Sequence, residues 1–376
     1  MTVIGMFDTA AGPTLFGDLM LSAARPSPDL RLPTIGNVAD TVFTGSAHYA
    51  PVALGPKVVI ISPTLAFAWA GSHTLATAFT AELVALAAQR SVTANAVRRA
   101  LENINSFAAE EPVTFLVAVK DGEEFQPIVS GLHTEWAPPL QGFRRGWIAG
   151  SGSSFLRERW QDAYVSGRDD DDHAAAQFGI ASLQAMMTKF EVLLPGATVA
   201  SCFGGGYEAV RLRGGEFEYV DDNALVLQNM AVELRDGRAV SVRAFHPYKA
   251  LRLAHWNAGS LVRTVELERG RPRETSLHGI APFPAQRNAQ EWSPRPNDWP
   301  TIEDANQIWF VVGIGACNSA ATGWAPVSRV LAVPALKGKD FRSVGPKERW
   351  ELQVAKTFTN RVCQSILDLW NSKGSA

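Results

Sequence analysis

Residues 2–22 read TVIGMFDTAAGPTLFGDLMLS. Residues 2–7 and 14–21 are two short apolar runs suited to strands. The stretch 9–13 between them, TAAGP, holds the Gly and Pro that break strands into turns. The chain therefore opens on a hairpin. A second stretch, KVVIISPTLAFAWAGS at 57–72, repeats the pattern with a β-branched run, a Ser62-Pro63 turn, a further apolar run and a small-residue end. Continuous apolar runs without alternation are expected of strands covered on both faces.

Working outward, residues 73–90 carry Leu75, Phe79, Leu83 and Leu86 at helical spacing. Residues 93–104 predict a second helix with Thr93 as its cap. A hairpin is expected over 113–119 and 125–129, around Asp121-Gly122. A short strand at 147–149 runs into GSGSS at 150–154. Helices follow over 153–165 and 173–192, then strands over 207–212 and 216–219 about Gly214-Gly215. Runs of strands packed against runs of helices predict an α+β layered fold.

Beyond residue 222 the character changes, which divides the chain into 1–222 and a C-terminal extension, 223–376. Strands are expected at 225–234 and 239–247 around Asp236-Gly237, and again at 308–314 and 327–333. A Pro- and Trp-rich stretch spans 280–302, and a Pro-rich irregular one spans 24–40. Residues 346–371 predict a closing amphipathic helix with Trp350, Val354, Phe358, Val362, Ile366 and Trp370 on one face. The extension is thus mixed, β-rich and ends in a helix.

The apolar fraction of 46% rules out wholesale disorder. Lys and Arg number 35 against 37 Asp and Glu, so no net charge draws the chain to nucleic acid. No run of 18 apolar residues predicts a membrane span. Asp8 and the lack of a basic start argue against a signal peptide, and the expectation is a cytoplasmic protein. Cys202, Cys317 and Cys363 are too scattered for a disulfide framework or a zinc site. The histidines form no HExxH, the acids 169–172 lead into a helix rather than an EF-hand loop, and no metal or cofactor is expected. Gly313-Ile314-Gly315 and Gly204-Gly205-Gly206 lack the frame of a phosphate cradle, and Gly150-Ser151-Gly152 lacks that of a nucleophile elbow.

Thr2 follows Met1, and a small second residue permits removal of the initiator. A freed Thr2 would carry a nucleophilic hydroxyl and an α-amine of pKa near 8 on one residue, so the amine could act as its general base.

The segment 2–22 resembles the first hairpin of proteasome β-type subunits, in which a nucleophilic Thr opens the strand and an Asp stands on the next one. Thr2 and Asp18 fall in that register without gaps. The block 57–72 resembles the family's Lys-to-Gly block, and Gly150-Ser151-Gly152-Ser153 resembles its Gly-Ser-Gly before a helix. Gly204–Gly206 resembles its glycine-rich turn. Over about 2–220 the resemblance implies the four-layer αββα sandwich of N-terminal-nucleophile hydrolases.

It also implies an activity, cleavage of a peptide or other amide bond through an acyl-Thr2 intermediate. Lys57 would lower the pKa of the Thr2 hydroxyl and Asp18 would orient Lys57. The Gly71 N–H would form the oxyanion hole, and Ser151 would help position the amine. Ser22 would pair with an extended substrate by strand addition, and Trp69 would make the first specificity pocket shallow. Assembly into homo-oligomeric rings is implied as well. Three departures stand out. Asp18 and Lys57 are 39 residues apart, roughly two dozen more than in the family. Ser201 stands where the family has an orienting Asp, and residues 223–376 lie beyond its usual end. The rival expectation is a non-catalytic proteasome-like scaffold, with Trp256, Trp292, Trp299, Trp309 and Trp324 offering contact surface.

Overall fold

The computed structural model describes residues 2–24, 30–37, 49–89, 92–107, 112–137, 142–160, 163–165, 172–220, 223–236, 238–284, 286, 292–305, 307–318, 329–345 and 350–373. In chain order the first elements are β1 (Ile4–Thr9), β2 (Gly12–Asp18), β3 (Met20–Ala23), β4 (Arg31–Leu32), β5 (Gly36–Asn37), β6 (Ala50–Leu54), β7 (Val58–Ser62), β8 (Leu65–Gly71), α1 (His73–Gln89) and α2 (Ala94–Phe107). Then come β9 (Val113–Asp121), β10 (Glu124–Ser130), β11 (Thr134–Trp136), β12 (Phe143–Ala149), α3 (Ser153–Arg159), β13 (Ala163–Val165), α4 (Asp172–Leu193), α5 (Pro195–Ala200), β14 (Tyr207–Arg213) and β15 (Glu216–Tyr219). The rest are β16 (Asn223–Arg235), β17 (Arg238–Ala244), β18 (Lys249–Trp256), β19 (Gly259–Glu268), β20 (Arg271–Ile280), β21 (Gln307–Asn318), β22 (Arg329–Leu336), β23 (Phe341–Val344), β24 (Glu351–Val354) and α6 (Lys356–Lys373).

This is a mixed α+β fold. An antiparallel sheet in the order β11-β12-β1-β2-β14-β15 stacks on a second, β10-β9-β8-β7. Ile4, Met6 and Leu15 of the first meet Val58, Ala66, Ala68 and Leu116 of the second in one buried cluster. The outer face of the second sheet, with Phe67 and Phe115, is covered by Phe79 and Leu83 of α1 and Val97 and Leu101 of α2. Both faces of β8 and β9 are therefore buried over nearly their whole length, which accounts for their unbroken apolar runs.

The outer face of the first sheet packs through Phe7 and Phe16 against Leu156 of α3 and Ile180, Leu183 and Met187 of α4. The far side of α4 meets a third sheet through Leu227, Leu251, Trp309 and Val311. Residues 179–191 of α4 are buried throughout, as a helix between two sheets must be. The third sheet runs β13-β22-β21-β16-β18-β19-β20, with β17 added to β16. Its other face is closed by Phe358, Val362 and Ile366 of α6. The strand β13 pairs in parallel with 330–332 of β22, so the third sheet also takes backbone from before residue 222.

Several expectations need correction. The run 14–21 breaks at Leu19, whose N–H turns to the carbonyls of Gly204 and Gly206. The helix expected over 153–165 ends at Arg159, and 163–165 is strand instead. The closing helix begins at Lys356, because 351–354 pairs with 341–344 as a hairpin and takes Trp350 and Val354 off the helix. The strand expected at 147–149 extends back to Phe143. The sequence reading missed β18, β19 and β20 altogether, and it missed β6 within the long segment before Lys57. Gly237, Trp324, the acids 169–171 and residues 327–328 lie outside the described residues. Among the described residues no helix is long and apolar enough to cross a membrane.

Candidate active site

The site is built where the ends of β2 and β8 meet the start of the chain and the glycine turn after α5. Asp18 ends β2 and is fully buried. Its Oδ1 accepts the Thr2 hydroxyl and the Val3 N–H, the latter at 2.9 Å. Its Oδ2 accepts the Gly204 N–H at 3.0 Å and the Met20 N–H at 3.2 Å. Burial raises the Asp18 pKa, while Lys57, the Thr2 hydroxyl and the two N–H groups of Val3 and Gly204 pull the other way.

Thr2 is tied at its other end too. Its carbonyl accepts the Gly152 N–H at 3.0 Å. Gly150 lies so close, at φ +90°, that a side-chain carbon there would fall 2.0 Å from that carbonyl oxygen. The Ser151 hydroxyl is 3.5 Å from the same oxygen but donates to the Ser201 carbonyl at 2.5 Å. Ser151 and Ser201 thus clamp the two loops that flank Thr2. Thr2 is itself fully buried, and with Met1 attached its nitrogen is an amide.

Lys57 is buried beneath this group. Its ammonium lies 4.0 Å from the centroid of the Trp69 ring, a cation–π contact. Burial lowers its pKa to about 8 against the attraction of Asp18 and Glu208. Trp69 is held by its own N–H to the Pro56 carbonyl at 2.9 Å and meets His73 and Phe283 edge-on. Gly71 ends β8 at φ +105°, and a side chain there would strike the Pro112 carbonyl oxygen. Ser22 lies on β3, one edge of which is paired by β6. The structure therefore gathers Thr2, Asp18, Lys57, Trp69 and Ser151 into one neighbourhood, with Gly71 two residues along the strand from Trp69.

No protein-family model matches this chain, and no curated protein sequence matches it. Among the described residues no three His, Cys, Asp or Glu side chains gather as a metal-ligand set.

Two buried acids were missed by the sequence reading. Glu208 on β14 accepts the Lys57 and Val58 N–H groups on one oxygen, at 2.5 and 2.6 Å. Glu191 on α4 accepts the Gly205 N–H and the Thr34 hydroxyl, both at 2.6 Å, and so braces the turn that holds Asp18. The segment around Thr34 is in turn held by the third sheet. Lys249 donates to the Thr34 carbonyl at 2.6 Å, and the Thr264 hydroxyl donates to the Pro33 carbonyl at 2.9 Å. A charged residue inside an apolar run, as in MMTKFEVLL and GYEAV, was the available signal.

Burial pushes the Glu191 pKa up to about 7 from an ordinary 4.5. The folded chain thus keeps a proton that the unfolded chain gives up between those values, so this residue's contribution to stability falls as pH rises from 4.5 to 7. At 1.36 kcal/mol per unit the loss is about 3 kcal/mol. Glu191→Gln, which keeps an acceptor for Gly205, is expected to remove that slope. Urea unfolding of both proteins at pH 5 and pH 7.5 checks it. Parallel stability–pH curves would contradict a raised Glu191.

Proposed function

We propose that this chain is a proteasome-like N-terminal-threonine hydrolase that cleaves a peptide or other amide bond. The observation that carries the reading is the hydrogen bond from the Thr2 hydroxyl to the fully buried Asp18 carboxylate, with the charge of buried Lys57 pulling the Asp18 pKa down against burial. Two stacked sheets with helices on both outer faces support the αββα sandwich as its frame.

Once Thr2 is the first residue, its amine is free to take the hydroxyl proton. The Thr2 oxygen then attacks the substrate carbonyl carbon, and a C–O bond forms. The oxyanion that develops is held by the Gly71 N–H, since preorganised donors stabilise charge as it forms. Collapse breaks the C–N bond, and the amine passes its proton to the leaving nitrogen. Water then attacks the ester, returns a proton to Thr2 and releases the acid. Lys57 favours the alkoxide by its charge, and Asp18 holds Thr2 in place. Ser22 would pair the substrate as an added strand. Trp69, packed by Lys57, His73 and Phe283, supports a small substrate side chain at the first pocket. Assembly into rings belongs to the same proposal.

One observation favours the rival reading, a proteasome-like scaffold. Thr2 is fully buried and its hydroxyl already serves Asp18, which is also how a purely structural threonine behaves. Labelling with a peptide epoxyketone or a β-lactone separates the two. The hydrolase reading expects one adduct, mapped to Thr2 by fragmentation, and at least a hundredfold less in Thr2→Ala. Equal labelling of Thr2→Ala would contradict it.

A further inference from the structure

We propose that Phe283, brought in by the chain beyond residue 222, stoppers the first specificity pocket beside Trp69, so that the site takes substrates with glycine or alanine before the scissile bond. This deepens the reading of Thr2 as nucleophile and rests on it.

The chain leaves β20 at Ile280 and crosses the flank of the site. Ile280 packs with Leu19, the residue after Asp18. Three residues on, Phe283 enters the buried cluster that holds Trp69, Phe67 and Phe79. Its ring stands edge-on to Trp69, 5.9 Å between centroids, and lies nearly flat on His73 at 5.3 Å. Trp69 and His73 meet each other as well, at 5.6 Å. The three rings therefore close on one another, and Phe283 is only 2% exposed. The Lys57 ammonium rests against the same Trp69 ring, so a single side chain separates Phe283 from the lysine of the site.

Phe283 differs from its neighbours in origin. The other buried members of that cluster come from the second sheet, from α1 and α2 or from the chain between them, and among the described residues Phe283 alone comes from beyond 222. Its turn is fixed on both sides. The Phe283 N–H donates to the Gln286 side-chain oxygen at 3.0 Å, and the Gln286 N–H donates back to the Phe283 carbonyl at 2.9 Å. Gln286 is itself buried, and Pro282 and Pro284 restrict the backbone on either side of the ring. An apolar recess walled by Trp69 and His73 would otherwise suit a large apolar side chain. Here the chain supplies that side chain itself. Interiors are close-packed, so a leucine or phenylalanine of a substrate can enter only by displacing the Phe283 ring. A substrate with little or no side chain at that position need not enter at all.

The test compares two peptide epoxyketones that differ only in carrying alanine or leucine at the reactive end, with the rate of labelling at Thr2 read by intact mass. Wild type is expected to take the alanine probe about tenfold faster than the leucine probe, the scale on which a hydrophobic pocket discriminates by size. In Phe283→Ala the preference should disappear or reverse. Phe283→Leu keeps more of the buried volume, is expected to shift the ratio part of the way, and serves where the alanine variant does not fold. Leu101→Ala, in the same cluster but on α2, is the control for general loosening and should leave the ratio as in wild type. A wild type that takes leucine as readily as alanine, a ratio unmoved in the folded Phe283 variants, or an equal shift in Leu101→Ala would each overturn the proposal while the hydrolase reading stands. If neither probe reaches Thr2 in any of these proteins, the hydrolase reading fails and this inference fails with it.

Discussion

Asp18→Ala should be among the most damaging single substitutions in this chain. The carboxylate satisfies four donors, the Thr2 hydroxyl and the N–H groups of Val3, Met20 and Gly204. Alanine leaves all four without their acceptor in a buried place. Each unsatisfied group costs about 1–3 kcal/mol, and water entering the vacated space offsets part of the sum. A loss of about 4 kcal/mol is expected, read as a lower urea midpoint with an unchanged slope. Any acylation of Thr2 should vanish with it, because that one side chain holds the Thr2 hydroxyl and takes a donor from each of the start of the chain, the end of β2 and the glycine turn. Lys57 also loses a charge that favours its protonated form. Asp18→Asn keeps an acceptor and should fall between alanine and wild type. A stability loss below about 1 kcal/mol for Asp18→Ala would mean that the network is not the keystone described.

Gly150→Ala is expected to match it in size by a different route. The new carbon would sit 2.0 Å from the Thr2 carbonyl oxygen and 2.7 Å from the carbonyl carbon, both backbone atoms. No rotamer change relieves a clash between backbones, so the turn or Thr2 must move. The φ of +90° adds strain that only glycine avoids. Overpacking and backbone strain each cost about 1–3 kcal/mol, so about 4 kcal/mol together is expected. The displacement falls on Thr2 itself, so labelling should be lost even where the variant still folds at low temperature. Gly196→Ala is the matched control, because nothing lies within 4 Å of its added carbon and the site is helical. It should be neutral or slightly stabilising.

The first two hairpins and the helix α1 were legible because their signals are local. The turn residues between β1 and β2, the spacing of Phe79 and Leu83 on α1, and Gly122 between β9 and β10 each act within a few residues. The C-terminal strands β18 to β20 were not, since they carry Arg, Glu, His and Ser that read as irregular chain. Their identity comes from pairing with one another and with β16. The same holds for 351–354, which a helical pattern claimed until its partner at 341–344 was in view. In the site, Thr2, Asp18 and Lys57 were marked by their register. Glu191 and Glu208 were not, because their partners lie 14 to 157 residues away along the chain. Nothing local says which acid in an apolar run will brace a glycine turn or hold a lysine's backbone.

The most direct measurement is the intact mass of the purified protein, taken before and after treatment with a β-lactone or an epoxyketone. The account predicts a chain that begins at Thr2 and gains one adduct on that residue. A chain that still carries Met1 and gains no adduct would remove nucleophile and base together. It would leave the Thr2–Asp18 network as a structural tie.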